Sequence, residues 1–119
     1  MVAGTELRVS VQVTGTRRDL DPTTEKNLLR IYQEAIANSI KHSRARVIEI
    51  ELKYEDDCLV LRVRDDGIGF NTENIIPLGV GHYGLVGMRE RAERIGGHMT
   101  LKSRPGEGTE LLVELPFTG

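Results

Sequence analysis

Apolar and polar residues alternate in several stretches of the chain, which is the pattern of strands that bury one face. These stretches are residues 7–13, 48–54, 59–63, 99–101 and 109–115. Two other stretches space their apolar residues as amphipathic helices do: one begins at Asp21-Pro22 and runs to about Ser43, and the other runs from about Gly84 to Gly96. The sequence therefore predicts strand, helix, two strands, helix and two strands.

The residues on the second face of these strands predict how the layers are arranged. They are mostly polar: Arg8, Gln12, Glu49, Glu51, Arg62, Lys102, Glu110 and Glu114. A sheet that is wet on one face must carry both helices on the other. The predicted fold is therefore α/β, a two-layer sandwich with a mostly antiparallel mixed sheet, and not a doubly wound fold with helices on both faces.

Length and composition limit the possible function. At 119 residues, 39% apolar and 29% charged, the chain has the composition of one ordinary globular domain. Its net charge of −2 gives no electrostatic reason to expect nucleic acid as a partner. Cys58 is the lone cysteine, and no apolar run is long enough for a membrane span. We therefore expect a cytoplasmic domain.

Asp65 is the first candidate for a binding residue. It shares a strand face with Leu59, Leu61 and Val63, so its carboxylate points into the apolar layer. A buried carboxylate is costly unless it is hydrogen-bonded. Thr109 begins the last strand with the same inward parity. Together the two could bind one polar edge of a flat ligand, although Asp-Gly is also ordinary turn chemistry.

A second candidate is a polar stripe on the first helix, formed by Glu34, Asn38 and Lys41 at helical spacing. The stripe is either a solvated face or a site in which Glu34 holds or deprotonates a water, Asn38 binds a hard cation and Lys41 contacts phosphate. A third is the glycine-rich segment 66–84, which leads into a helix beginning at Gly84-Leu85. Helix N-termini bind phosphates, but flexible loops are also glycine-rich.

These segments together resemble the catalytic domain of two-component sensor histidine kinases, in particular the nitrate-sensor-like subfamily. Residues 33–42 (QEAIANSIKH) resemble the N box, and residues 65–70 (DDGIGF) resemble the G1 box. Residues 81–91 (GHYGLVGMRER) resemble the G2 region, and residues 106–109 (GEGT) the last glycine box. Four motifs in this order cover nearly the whole chain, which makes the resemblance specific.

The resemblance implies a Bergerat ATP-binding fold, shared in outline with gyrase, heat-shock protein 90 and MutL ATPases. It implies that Asp65 accepts a hydrogen bond from the exocyclic amine of adenine, with Thr109 assisting through water. It further implies that residues 70–83 form an ATP lid. The remaining nucleotide-binding residues that it implies are Asn38, Lys41, His42, Gly67, Gly69, Gly84 and Leu85.

Specific chemical roles follow from the same resemblance. Asn38 is expected to bind Mg²⁺ that bridges the phosphates, and Lys41 or His42 to contact phosphate oxygens. Gly67 and Gly69 are expected to let the backbone pass close to the nucleotide. Glu34 occupies the position of the general base in hydrolysing relatives and is expected to polarise the acceptor histidine here. Whether Glu34 or His42 performs this role is open.

The phosphoacceptor is expected to lie on another domain. The three histidines are followed by Ser43, Tyr83 and Met99, whereas an acidic residue typically follows the acceptor in this subfamily. We expect residues 1–119 to be one catalytic domain without the dimerisation and phosphoacceptor domain: monomeric alone, homodimeric in the full-length protein, and linked indirectly to a response regulator. Whether the full-length protein is membrane-anchored is left open.

Two alternatives remain beside the kinase interpretation. A nucleotide-responsive interaction module would keep the pocket and lid without transferring phosphate; the set of Glu34, Asn38 and Lys41 argues against it. An anti-sigma-type serine kinase of the same fold is disfavoured by the lid sequence around Tyr83-Gly84-Leu85.

Overall fold

A computed structural model describes residues 7–41, 44–69 and 85–117 of the chain. Within these ranges it contains five strands and two helices. They are β1 (Arg8–Gly15), α1 (Pro22–Lys41), β2 (Val47–Tyr54), β3 (Cys58–Asp65), α2 (Leu85–Arg94), β4 (His98–Ser103) and β5 (Thr109–Pro116). This is the predicted order of elements.

The strands form one sheet in the order β1-β2-β3-β5-β4. The pair β1–β2 is parallel, since the crossover helix α1 connects these strands, and the other three pairs are antiparallel. The prediction of a mostly antiparallel mixed sheet is therefore confirmed. Because β5 lies between β3 and β4 and runs antiparallel to β3, the last residue of β3, Asp65, pairs with the first residue of β5, Thr109.

Both helices contribute to a single core on one face of the sheet. The core residues are Leu28, Ile31, Ala35, Ile48, Ile50, Leu59, Leu61, Val63, Met88, Ala92, Met99, Leu111, Val113 and Leu115. The strand members of this set have the inward parity predicted from the sequence, while charged residues such as Arg62 and Glu110 form ion pairs on the opposite face. The two-layer sandwich is confirmed.

The prediction that β1 is half-buried is wrong. The side chains of Val9, Val11 and Val13 are 49%, 60% and 59% exposed. β1 is an edge strand, and α1 does not cover it; a groove of about 430 Å³ remains between the two, lined in part by Leu29 and Tyr32. β1 is therefore held mainly through its backbone pairing with β2.

The start of α1 follows the predicted capping pattern. The Asp21 carboxylate accepts hydrogen bonds from the Thr24 backbone N–H (2.8 Å) and from the Thr24 hydroxyl (3.0 Å). The bond from the Thr24 N–H is the main cause that lowers the pKa of Asp21. Pro22 occupies the first helical position. The described helix ends at Lys41, and residues 42–43, where the predicted helix ends, lie outside the described residues.

A pair of isoleucines on α1 provides a test of this packing. Ile31 is 0% exposed and Ile40 is 47% exposed. We expect Ile31→Ala to lower the free energy of unfolding by about 2–5 kcal/mol, because it leaves a cavity in the core. Ile40→Ala removes the same atoms from an exposed position and is expected to change it by less than about 1 kcal/mol. Urea unfolding followed by circular dichroism measures both; similar losses would contradict the described orientation of α1.

Candidate functional site

Asp65 closes β3, and its side chain points into the layer between sheet and helices as predicted. The residue is 6% exposed, and it pairs with Ile48 of β2 on one side and Thr109 of β5 on the other. The strand alternation buries Leu61, Val63 and Asp65 on the same face. Asp65 and Thr109 are therefore directly opposite each other on neighbouring strands.

The Asp65 carboxylate is satisfied by the protein itself. The Ser39 hydroxyl donates to Oδ2 (2.7 Å), and the Gly67 backbone N–H donates to Oδ1 (2.9 Å). Because each carboxylate oxygen can accept about two hydrogen bonds, each retains capacity for a further donor. Burial of Asp65 therefore does not by itself require a ligand, but the site can accept a hydrogen bond from one.

Ser39 was not singled out by the sequence analysis. Ser39 lies on the apolar side of α1, so its hydroxyl faces the sheet. In the structure the residue is buried there, with 3% of its surface exposed. The signal that could have found it is the one that found Asp65: a short polar side chain on an otherwise apolar face needs a partner. Ser39 and Asp65 are partners of this kind.

Thr109 belongs to a chain of hydroxyl groups at the start of β5. Its Oγ1 lies 3.0 Å from Ser103 Oγ, and the Ser103 hydroxyl donates to the backbone carbonyl of Gly108 (2.9 Å). A hydroxyl carries one hydrogen, so Thr109 is the donor in its pair with Ser103. The lone pairs of Thr109 therefore remain available as acceptors, which suits contact with a donor or a bridging water.

The polar stripe of α1 runs next to this carboxylate. Asn38 immediately precedes Ser39, is half-buried and takes part in an interaction of its own. Lys41 and Glu34 are exposed. With a rise of about 1.5 Å per residue, Asn38 and Lys41 lie within one helical turn of the Ser39–Asp65 contact, and Glu34 lies about one turn farther away. The structure thus brings the Asn38 end of the stripe to Asp65.

The segment after β3, which contains Gly69, packs against the turn before β5, which contains Gly108. A Cβ added to Gly69 would lie 2.0 Å from the Arg104 carbonyl oxygen, and one added to Gly108 would lie 2.2 Å from the Asp65 carbonyl oxygen. Both glycines have positive φ angles, +64° and +74°. Both positions therefore need glycine for contacts within the protein, in addition to the close approach to nucleotide that the resemblance implies for Gly69.

A cavity of about 650 Å³ lies at this end of the sheet. Asp65 and Thr109 contribute to its lining, but so do Arg64, Lys102 and Glu110, which have the opposite parity. The cavity therefore extends around the strand ends to the outer face of the sheet. The carboxylate of Asp65 instead faces α1, so we do not assign a ligand to the outer cavity.

Other predicted site features fall partly or wholly outside the described residues. His42, Gly84 and the predicted lid at residues 70–83 are outside them. Leu85 is half-buried and begins α2. Gly67 is buried next to Asp65. Among residues 7–41, 44–69 and 85–117, no group of three His, Cys, Asp or Glu side chains is arranged to hold a metal ion. Neither helix in these ranges is long and apolar enough to cross a bilayer.

Comparison with known families identifies the class of this domain. Residues 23–119 match the family described as histidine kinase-, DNA gyrase B-, and HSP90-like ATPase. The match covers most of the chain, from the first turn of α1 through β5, and includes the Asp65 site. The chain therefore belongs to this ATPase family.

The relatives in sequence include a sensor protein and a signal transduction kinase. The chain is 42% identical over 93 residues to the sensor protein VraS of Staphylococcus aureus (strain COL), covering 78% of this chain and 26% of VraS. It is 31% identical over 115 residues to the signal transduction histidine-protein kinase/phosphatase DegS of Bacillus subtilis, covering 95% of this chain and 30% of DegS. The chain thus spans about a quarter to a third of these relatives.

Solved structures confirm the fold. The histidine kinase domain of the blue-light activated histidine kinase of Erythrobacter litoralis EL346 superimposes with a TM-score of 0.78 at 21% identity, over 92% of this chain and 51% of that one. The histidine kinase AdeS of Acinetobacter baumannii gives a TM-score of 0.76 at 16% identity, over 97% of this chain and 56% of that one. The predicted Bergerat architecture is therefore confirmed.

Proposed function

We propose that this domain binds Mg·ATP and, in the full-length protein, donates the γ-phosphate to a histidine on a dimeric helical domain. The observation that carries the proposal is the buried Asp65 carboxylate, held by Ser39 and Gly67 and facing Thr109, in a chain of this ATPase family. The likeness to VraS and DegS supports sensor kinase function for the full-length protein.

Asp65 is suited to recognise adenine through its amine. The spare lone pairs of the carboxylate accept the N–H of an exocyclic amine, and Thr109 offers an acceptor to a bridging water. Guanine presents a carbonyl oxygen at the corresponding position of the ring, and this oxygen would face the carboxylate without a hydrogen between them. A buried acceptor that is left unpaired is costly, so the arrangement selects adenine.

The end of α1 is suited to the phosphates and the cation. The amide oxygen of Asn38 is a hard ligand of the kind Mg²⁺ takes, and Mg²⁺ commonly uses only one or two protein oxygens together with substrate phosphates. Mg²⁺ held there would neutralise phosphate charge, and Lys41 adds a positive charge within a turn of Asn38.

The reaction that we propose moves one phosphoryl group. A ring nitrogen of the acceptor histidine attacks the γ-phosphorus; the N–P bond forms as the bond from phosphorus to the β–γ bridging oxygen breaks, and ADP leaves with that electron pair. The imidazole proton passes to a base, for which Glu34 is our candidate, with His42 as the other group to test. The domain contributes mainly positioning and charge neutralisation.

The proposal also includes a dimeric acceptor domain as the direct partner and a response regulator as an indirect one. We place the dimerisation and phosphoacceptor helices outside residues 1–119 and assign residues 70–83 as the ATP lid. The catalytic domain is cytoplasmic in this scheme and monomeric when isolated.

Transfer of label from ATP tests the proposal directly. The domain is mixed with the purified helical domain of its own full-length protein and with ATP labelled at the γ-phosphate. We expect acid-labile label on the helical domain, and none when the acceptor histidine is replaced. Tight ATP binding without transfer would favour the nucleotide-responsive interaction module, and absence of ATP binding would contradict both functions.

A further inference from the structure

We propose that Asp66 is a positioning residue. It keeps the end of α1 that is proposed to bind phosphate at a set position relative to the Asp65 carboxylate, which is proposed to bind adenine. The inference rests on the proposed ATP site and adds a residue to which neither the family resemblance nor the comparisons assign a role. Asp65 and Asp66 are neighbours in the sequence, but they face opposite sides of the strand end and make different contacts.

The Asp66 carboxylate binds the connection between α1 and β2. Its Oδ1 accepts hydrogen bonds from two consecutive backbone N–H groups, those of Arg46 (2.8 Å) and Val47 (2.9 Å). The Asp66 N–H in turn donates to the Val47 carbonyl oxygen (3.3 Å). Three hydrogen bonds thus fasten the residue after Asp65 to the segment that follows α1.

The same connection is also held from the other side. The Arg46 carbonyl oxygen accepts a hydrogen bond from the Arg8 N–H (2.8 Å). The backbone at Arg46 and Val47 is therefore held by Arg8 on one side and by Asp66 on the other, and Lys41 at the end of α1 is five residues before Arg46.

The helix end is therefore attached to the end of β3 at two points. One is the direct contact of Ser39 with the Asp65 carboxylate (2.7 Å), and the other is Asp66 acting through Arg46 and Val47. The first holds the helix at the base-binding group. The second holds Arg46 and Val47, five and six residues after Lys41, at the end of β3, and so limits how far the groups proposed to bind the phosphates can lie from the group proposed to bind the base.

The Asp66 carboxylate acts here as an ionised acceptor. Hydrogen bonds from the Val47 and Arg46 N–H groups lower its pKa. A carboxyl group whose pKa is lowered in the folded state stabilises the fold above its unfolded pKa of about 3.9, and this contribution is lost as the pH falls through the folded value. At neutral pH the ionised carboxylate therefore accepts both hydrogen bonds, from the Arg46 and Val47 N–H groups.

Three variants separate acceptor geometry from charge. Asp66→Asn keeps an oxygen that can accept from both N–H groups but removes the charge. Asp66→Glu keeps the charge but moves the acceptor one methylene farther away. Asp66→Ala removes both. Asp56→Ala, in the exposed turn before β3, is the matched control for loss of an aspartate.

The decisive measurement is the ratio of ATP affinity to adenosine affinity, determined by calorimetry at pH 7.5 with Mg²⁺. We expect Asp66→Ala and Asp66→Glu to weaken ATP binding about tenfold and adenosine binding less than about twofold, since adenosine uses the Asp65 side only. Asp66→Asn and Asp56→Ala are expected to keep the ratio of the parent. General destabilisation weakens both ligands equally and cannot change this ratio.

The outcomes distinguish this inference from the function on which it rests. If the parent does not bind ATP, the proposed function fails. If the parent binds ATP and the ratio in Asp66→Glu equals that of the parent, the positioning role of Asp66 is overturned while the function stands. A change of the ratio in Asp66→Asn as large as that in Asp66→Ala would also overturn it, because the charge and not the acceptor oxygen would then govern the effect. Should Asp66→Ala not fold, the Asn and Glu variants decide.

Discussion

Asp65→Asn is expected to weaken ATP binding roughly 100-fold, with little change in the shape of the domain. The substitution replaces one acceptor oxygen by an NH₂ group and removes the charge. The amide has only one acceptor oxygen. If its NH₂ group faces the Gly67 N–H, two donors meet; if it faces Ser39, the hydroxyl must turn to accept, and the single oxygen is left for both Gly67 and the adenine amine. Loss of the charge from the hydrogen bond to adenine, together with this competition for one oxygen, accounts for an effect of this size.

The measurement is a calorimetric titration with Mg·ATP, at a temperature well below the unfolding midpoint of each protein. Asp57→Asn is the matched control, because it makes the same charge change in the exposed turn at the other end of β3, about 25 Å away along the strand. We expect it to bind ATP as the parent does. Equal affinities of Asp65→Asn and the parent would remove Asp65 from base recognition.

Ser39→Ala alters the same site less than Asp65→Asn does. It leaves the Asp65 carboxylate and its bond from Gly67 in place and removes only the bond from the Ser39 hydroxyl. We expect an intermediate loss of ATP affinity, about tenfold, since the carboxylate keeps its charge but loses one of the two groups that orient it. The series from parent through Ser39→Ala to Asp65→Asn thus separates orientation from hydrogen bonding.

The inward orientation of Asp65 could be predicted because it depends only on local geometry. Side chains alternate along a strand, so the burial of Leu61 and Val63 determines the side on which Asp65 lies. The same reasoning placed Thr109 correctly. The contact between them could not be predicted this way, since it depends on β5 lying next to β3, and that strand order is a property of the whole sheet.

Burial of an alternating strand could not be predicted from the strand alone. β1 and β2 both alternate, yet Ile48 and Ile50 are buried and Val11 and Val13 are exposed. The difference lies in where α1 crosses the sheet, which the pattern of β1 does not encode. In the same way, the helical pattern put Ser39 on the apolar side of α1 but could not show that its partner is Asp65, because the two lie 26 positions apart.

Gly108→Ala is expected to lower the free energy of unfolding by roughly 2–5 kcal/mol, an effect as large as the one expected for Ile31→Ala. The new Cβ would lie 2.2 Å from the Asp65 carbonyl oxygen, which is backbone within the β3–β5 pairing and has little room to move. Relieving such an overlap costs about 1–3 kcal/mol. The φ of +74° adds about 1–2 kcal/mol for any residue with a Cβ.

Gly106→Ala is the control that isolates the contact from the backbone conformation. Gly106 lies in the same turn with a φ of +82°, but a Cβ added there meets no atom within 4 Å. We therefore expect a loss of only about 1–2 kcal/mol, the cost of the positive φ alone. Urea unfolding of both variants measures the difference, and equal losses would show that the backbone at Asp65 can move away from β5. In that case the carboxylate would also lack the fixed position that recognition of adenine requires, so this stability comparison tests the binding site as well as the fold.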